Sequence, residues 1–265
     1  MNRSPATESN RARWEQLLAE AVRSLPDYLA ITDGLTHESK GIRRSELFFC
    51  YALIAPQPPA KIIESGRARA QSTLVLSLLF PNALIVSLES DANSPDAAIA
   101  EQRLKDRNNV ECRFGDSLVI LPELARAEDL IVIDGPKDFR ALKLALRLLS
   151  ENKVRGVFVH DLWLGSPARG FVDQHLPSTL LSDDSRWVQT YASLDSSRPL
   201  PPPVSDRRRA YGATMGYLER ELDNYDRRLV QCRRAQARER VQATVRKCLG
   251  RSAPVRPRDF EELAR

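Results

Sequence analysis

The sequence predicts an α/β fold with a doubly wound, mostly parallel sheet. Short apolar runs alternate along the chain with stretches in which apolar residues recur every three to four positions, as in strands joined by crossover helices. Several of the runs end on a glycine or a charged residue. The first two runs are separated by a glycine turn and a helical stretch, which is the pattern of a βαβ unit.

Composition is that of a globular protein of 265 residues, 42% hydrophobic and 28% charged. We expect an N-terminal tail and helix (1–39), one α/β domain (40–218) and a basic C-terminal helix with its tail (219–265). The chain has no apolar run long enough for a membrane span and no secretory signal, and its four cysteines lack C-x-x-C spacing. A cytoplasmic protein with reduced thiols is therefore expected.

Two helices are predicted before the first strand. Arg11–Leu25 has apolar residues at helical spacing and is followed by Pro26, whereas residues 1–10 are predicted to be disordered. Arg43–Ile54 repeats its apolar residues in the same way, and prolines then stop it. Residues 33–42 between these helices are predicted to form a loop.

The stretch Lys61–Asp91 is predicted to be the first βαβ unit. Its strands are the apolar runs Lys61–Ile63 and Ala83–Leu88, and Gly66 can take the positive φ of a tight turn after the first. The intervening helix has apolar residues at Leu74, Leu76, Leu78, Leu79 and Phe80. The crevice at the carboxyl ends of such strands receives nucleotide-like ligands, and the carboxylate of Glu89 can accept two hydrogen bonds from a ribose diol.

The spacing of the turn separates two cofactor classes. A dinucleotide site needs G-x-G-x-x-G, but Ala68 and Gln71 occupy the slots after Gly66, which argues against NAD or FAD. The stretch instead resembles the first motif of class I S-adenosylmethionine (SAM) dependent methyltransferases, E-x-G-x-x-x-G-x-S-T. The matching residues are Glu64, Gly66, Ser72 and Thr73, with Ala70 in the second glycine slot.

This resemblance implies a Rossmann-like, seven-stranded sheet closed by an antiparallel pair, with SAM as the cofactor. The implied cofactor-binding residues are Glu64, Gly66, Ser72, Glu89 and Asp116. Asp116 follows the predicted strand Val110–Phe114, and in the family an acid here approaches the adenine amino group. An equally weighted interpretation makes Asp116 the N-cap of a helix over Leu118–Ala125. Upstream, a helix over Ser94–Asp106 is predicted, with Ser94 as a possible cap.

Two further strand ends carry polar residues. The predicted strand Leu130–Ile133 leads into Asp134, and the predicted strand Gly156–Val159 leads into His160 and Asp161, with a helix over Phe139–Leu149 between them. The D-x-x-K spacing of Asp134 and Lys137 resembles that of metal-dependent, catechol-type O-methyltransferases, a group of small-molecule enzymes.

In that family the aspartate binds Mg²⁺, the lysine is the general base and the next strand end supplies two more ligands, here His160 and Asp161. A metal site of Asp134, His160 and Asp161 is thus implied, with Lys137, Asp134 and His160 as catalytic candidates; the histidine nitrogen suits Mn²⁺ better than Mg²⁺. The alternatives stay open. Asp134 can be a turn residue, Lys137 a solvated lysine, and His160 either a base without metal or a structural histidine.

The predicted C-terminal third begins with a loop at 164–186 that contains a short helix around Gly170–His175. Strands are predicted at Trp187–Leu194 and Ala210–Leu218, joined by a loop rich in proline and arginine. Glu219–Leu249, which lacks proline and glycine, is predicted to be one long helix. Its outer side carries Arg227, Arg228, Arg233, Arg234, Arg238, Arg240, Arg246 and Lys247.

No aromatic residues interleave with these arginines and acidic residues lie among them, so we expect a solvated face or a homodimer contact, not nucleic-acid or membrane binding. The leading functional hypothesis is SAM-dependent methylation of a hydroxyl on a small-molecule or sugar-like acceptor, with Mg²⁺ or Mn²⁺ left open as a second cofactor. The alternatives are a catalytically inactive binding protein of the same fold, favoured by Ala68 and Ala70, and an RNA methyltransferase.

Overall fold

A seven-stranded sheet organises the part of the chain that the computed structural model describes, which is residues 5–37, 41–195 and 214–248. The strands are β1 Lys61–Ser65, β2 Leu84–Glu89, β3 Val110–Phe114, β4 Leu130–Ile133, β5 Gly156–Val159, β6 Leu180–Leu181 and β7 Gly216–Glu219. Their order is β3-β2-β1-β4-β5-β7-β6, and β7 pairs antiparallel with both β5 and β6. The predicted fold class, a doubly wound and mostly parallel sheet, is therefore confirmed.

Helices cover both faces of the sheet. They are α1 Pro5–Thr32, α2 Arg44–Ile54, α3 Gln71–Leu79, α4 Pro95–Leu104, α5 Ser117–Leu124, α6 Asp138–Arg147, α7 Pro167–His175, α8 Ser185–Tyr191 and α9 Tyr225–Cys248. Successive strand residues point to opposite faces. Ile62 accordingly packs with the core around α1, α2, α3 and α8, whereas Ile63 packs with the core around α6, α7 and α9.

Helix α1 is longer than predicted at both ends. Residues 5–10 are helical, so the prediction of disorder is wrong for them, and residues 1–4 lie outside the described part. The helix also continues through Pro26, although proline removes one hydrogen bond. Tyr28 explains the continuation, because its ring is fully buried and lies 4.9 Å from that of Phe48 on α2. Tertiary packing beyond the proline outweighs its local cost.

The predicted strand Trp187–Leu194 is wrong. This segment forms α8 and a following 3₁₀ turn, Ala192–Asp195, while the sixth strand is the short β6 before it. Trp187 and Tyr191 lie one helical turn apart and both rings pack against Phe48. The four-residue spacing of these two rings therefore favours a helix, although the composition of the segment also suits a strand. Of the predicted strand Ala210–Leu218, residues 210–213 lie outside the described part.

Helix α9 begins at Tyr225, later than the predicted Glu219, because Glu219 ends β7 and a 3₁₀ turn follows it. Tyr225, Leu229 and Cys232 are buried with the α6 core, whereas Val241 and Val245 are exposed. The predicted arginines with described side chains, from Arg227 to Arg240, point outward or are half-buried. No described helix is long and apolar enough to cross a membrane.

Candidate functional site

The carboxyl ends of β1, β2, β4 and β5 meet where the strand order reverses, between β1 and β4. The main chain ties these ends together. The amides of Asp134 and Gly135 donate to the carbonyl of Ser65 at 2.9 and 3.1 Å, and the amide of Gly66 donates to the carbonyl of Leu88 at 3.1 Å. In open α/β sheets this reversal point is where ligands bind.

The turn after β1 has the backbone of a glycine-rich turn even where glycine is absent. Gly66 has a φ of +89°. Ala70, in the second glycine slot of the motif, has a φ of 60°, and Ala68 has a φ of 43°. A Cβ atom on Gly66 would lie 2.7 Å from the amide nitrogen of Gly135. Gly66 therefore allows both the left-handed turn and the contact between the ends of β1 and β4.

A Gly66→Ala substitution is expected to lower the free energy of unfolding by about 2–4 kcal/mol, since it adds backbone strain and a clash with Gly135. Urea unfolding followed by circular dichroism measures the loss. The matched control is Gly34→Ala, because Gly34 also has a positive φ, +74°, but nothing lies near its Cβ position. Equal losses in the two variants would contradict a close approach of the two strand ends.

Glu64 lies beneath this turn. Its carboxylate is fully buried and accepts hydrogen bonds from the hydroxyls of Thr73 and Ser87, the latter at 3.1 Å. Burial raises the pKa of Glu64, and a hydrogen bond from Ser72 opposes that rise. The structure thus places Glu64, Ser72 and Thr73 in a buried polar cluster that supports the turn from below.

Glu89 and Asp116 lie at the ends of β2 and β3. Glu89 accepts from the amide of Ala68 at 2.8 Å and from that of Ser90 at 2.7 Å, and so links the end of β2 to the turn. Asp116 is exposed and accepts from the amide of Leu118 at 2.9 Å. The N-cap interpretation of Asp116 is confirmed, and its contact with adenine stays a prediction.

Across the switch point, four predicted site residues form one cluster. His160 Nδ1 lies 2.6 Å from Asp134 Oδ1, and Lys137 Nζ lies 2.5 Å from the same oxygen. Lys137 Nζ also lies 2.8 Å from Asp161 Oδ2. The lysine ammonium group therefore bridges the two aspartates, which come from the ends of β4 and β5.

The cluster's ionisation follows from these contacts. Burial alone would lower the pKa of His160, but the carboxylates of Asp134 and Glu46 outweigh it and raise the pKa to about 10. Burial alone would raise the pKa of Asp134, but His160 and Lys137 outweigh it and lower that pKa below its ordinary value. Burial alone would lower the pKa of Lys137, but the carboxylates of Asp134 and Asp161 outweigh it and raise that pKa. At neutral pH His160 and Lys137 are cations and Asp134 is an anion.

Sequence reasoning missed Glu46. This residue is fully buried on α2, and its Oε2 lies 3.2 Å from His160 Nε2, across 114 positions of sequence. The same oxygen accepts from the amide of Arg43 at 3.0 Å. The available signal was the single acid of the helix sequence RSELFFCYALI, directly before its apolar run, but an acid at the third position of a helix is ordinarily a cap.

Three side chains of the cluster have atoms of the kind that bind divalent ions. Asp134, His160 and Asp161 each offer an atom within 4.8 Å of the others. However, both nitrogens of His160 contact carboxylates, and Lys137 Nζ lies between the two aspartates. A divalent ion prefers deprotonated ligands. The residues in this arrangement do not fit a metal ion.

No family model and no curated protein matches the chain. Among solved structures, the O-methyltransferase from Bacillus cereus in complex with SAH is 17% identical over 76% of this chain and 90% of that chain, with a TM-score of 0.43. The O-methyltransferase TomG from Streptomyces achromogenes, in complex with SAM, is 18% identical over 74% of this chain and 89% of that chain, also with a TM-score of 0.43. In the fibrillarin/Nop5p complex, 38% of this chain matches 49% of that chain, about half its length, at 16% identity and a TM-score of 0.33. These likenesses concern the fold alone.

Proposed function

We propose that this protein is a SAM-dependent methyltransferase that methylates a hydroxyl group of a small-molecule or sugar-like acceptor. The observation that carries the proposal is the junction of β1 and β4. There the left-handed turn at Gly66 touches the main chain at Asp134 and Gly135. The turn that we expect to hold the cofactor therefore lies directly beside the charged cluster. A crevice at such a switch point is the expected ligand site of a doubly wound sheet.

The residues on the β1–β2 side fit SAM, which supplies an electrophilic methyl group when bound. Glu89 is only half-buried at the end of β2, so its carboxylate is available to a ribose diol. The methyl group of Ala70 is buried with Ala100 and Leu104 of α4. Because it packs there, we expect Ala70 not to obstruct a cofactor on the crevice side of the turn.

On the β4–β5 side, the protein has to align the acceptor hydroxyl and take its proton. Lys137 is a third exposed, so its ammonium group can face the acceptor oxygen and stabilise the negative charge that develops there. Because two carboxylates hold Lys137 in its charged form, we assign the proton to Asp161 in preference to Lys137. With SAM bound, the acceptor oxygen would form a bond to the methyl carbon as the methyl–sulfur bond breaks and SAH leaves, and the hydroxyl proton would pass to the Asp161 carboxylate.

A Glu89→Gln variant is expected to bind SAM about tenfold to a hundredfold more weakly than the wild type, because the amide accepts weaker hydrogen bonds from the ribose diol. Isothermal titration calorimetry with SAM and with SAH measures the change. Glu101→Gln, on the exposed side of α4, is the control and should match the wild type. Wild-type protein that gives no heat with either ligand would rule out the proposed function.

Helix α9 favours a second candidate, a binding role without catalysis. Beyond its docked turns, Val241 and Val245 are exposed near outward-pointing Arg238 and Arg240. Such a surface suits a homodimer contact. Absence of SAM binding together with a dimer that dissociates in a Val241→Asp variant, seen by analytical ultracentrifugation, would favour this candidate. An RNA acceptor would instead give RNA binding with a steep salt dependence.

A further inference from the structure

We propose that Lys137 is the built-in cation of this site: its ammonium group takes the place of a divalent ion between Asp134 and Asp161, and Glu46 with His160 holds Asp134 in position for it. Any contribution of this cation to catalysis rests on the proposed function. Whether Lys137 takes the place of a divalent ion can be tested by metal binding alone. It also adds Glu46 to the site as a positioning residue.

Lys137 Nζ occupies the space between the two aspartates. It lies 2.5 Å from Asp134 Oδ1 and 2.8 Å from Asp161 Oδ2, so it contacts both carboxylates directly. A divalent ion bound to these two oxygens would need contacts of about 2.0–2.6 Å to them. The ammonium group and such an ion cannot occupy this space together.

Five groups follow one another in contact, in the order Glu46, His160, Asp134, Lys137, Asp161. His160 and Lys137 each lie between two carboxylates. A metal ion at Asp134 and Asp161 would place two further positive charges beside the ammonium group of Lys137, at a distance where repulsion is strong.

Asp134 is held rigidly by its buried neighbours. His160 and Glu46 are fully buried, and His160 uses one ring nitrogen for each carboxylate. Glu46 is fixed in turn by the amide of Arg43 at the start of α2. Because both side chains are buried and hydrogen-bonded, they have little freedom to move. The pair therefore holds Asp134 Oδ1 in place from the interior side of the cluster. Lys137 lies on the outer side of this arrangement, a third exposed.

The test is Mn²⁺ binding by electron paramagnetic resonance, with purified full-length protein and no acceptor. Wild-type protein is expected to bind Mn²⁺ at this site too weakly to be detected, which sets a lower limit on its dissociation constant. Lys137→Met, which keeps the chain length but removes the charge, is expected to bind one Mn²⁺ at least about a hundredfold more tightly than the wild type. Adding Asp134→Asn to that variant is expected to abolish the gain.

Two controls show whether the loss of positive charge at position 137 causes the gain in Mn²⁺ affinity. Lys137→Arg keeps a cation and should show no gain in Mn²⁺ affinity. Lys143→Met removes another lysine of α6, one that donates to Gln236 at 3.1 Å, and should also show none. If Lys137→Met does not fold, Lys137→Gln replaces it, with circular dichroism as the check.

Three results would overturn the inference. They are a wild-type protein that binds Mn²⁺ in a manner lost in Asp134→Asn, a folded Lys137→Met with no gain, and an equal gain in Lys143→Met. SAM calorimetry on the same samples separates this inference from the proposed function. Absence of SAM binding would defeat the proposed function and leave the Mn²⁺ result valid, whereas SAM binding with a wild-type Mn²⁺ site would defeat only the inference.

Discussion

Replacing Glu46 by alanine is expected to lower the free energy of unfolding by about 3–5 kcal/mol, because it leaves the buried His160 cation with one hydrogen-bonded carboxylate instead of two. The loss also includes a cavity at a fully buried position of α2. Chemical denaturation monitored by tryptophan fluorescence measures it, since Trp187 packs against Phe48 and Phe49 of the same helix.

Two variants separate charge from volume and from general helix effects. Glu46→Gln keeps the shape and should lose less stability than Glu46→Ala while it lowers the pKa of His160, because one of the two carboxylates that raise it is gone. Glu15→Ala removes a carboxylate from an exposed ion pair with Arg11 on α1 and should cost less than about 1 kcal/mol. A Glu46→Ala loss no larger than that of Glu15→Ala would contradict the buried contact with His160.

The second large effect is on how the free energy of unfolding depends on pH. The pKa of His160 is raised to about 10 in the folded protein from an ordinary value of 6.5. Below the unfolded pKa both states hold the proton, and the stabilisation from its carboxylate partners is present in full. Above it the unfolded chain loses the proton first. His160 should therefore lower stability by about 1.4 kcal/mol per pH unit as pH rises, until its folded pKa is reached.

Urea unfolding at a series of pH values above neutrality, with and without His160→Gln, isolates this contribution. The difference in unfolding free energy between wild type and variant should shrink steadily as pH rises. His175→Gln, at the end of α7, removes a histidine outside the cluster and should leave the wild-type slope in place. A constant difference between wild type and His160→Gln would show that His160 is neutral when buried.

The sequence by itself determined the sheet that carries the site. Runs such as Leu130–Ile133 are apolar at every position, and full burial on both faces of a parallel sheet requires that. Gly66, Asp134, His160 and Asp161 could be placed at strand ends because the carboxyl ends of parallel strands share one edge. The capping roles of Ser94 and Asp116 also followed from local chemistry, and both are confirmed.

Only the tertiary structure decided what those side chains do. The contact between Glu46 and His160 spans 114 positions, and no local pattern records which buried acid meets which histidine. The same holds for Trp187, whose segment is helical because its ring packs on α2, and for the methyl group of Ala70, which turns into α4. Periodicity and turn chemistry act over a few residues, whereas the ionisation of Asp134, Lys137 and His160 depends on which charges the fold brings into contact.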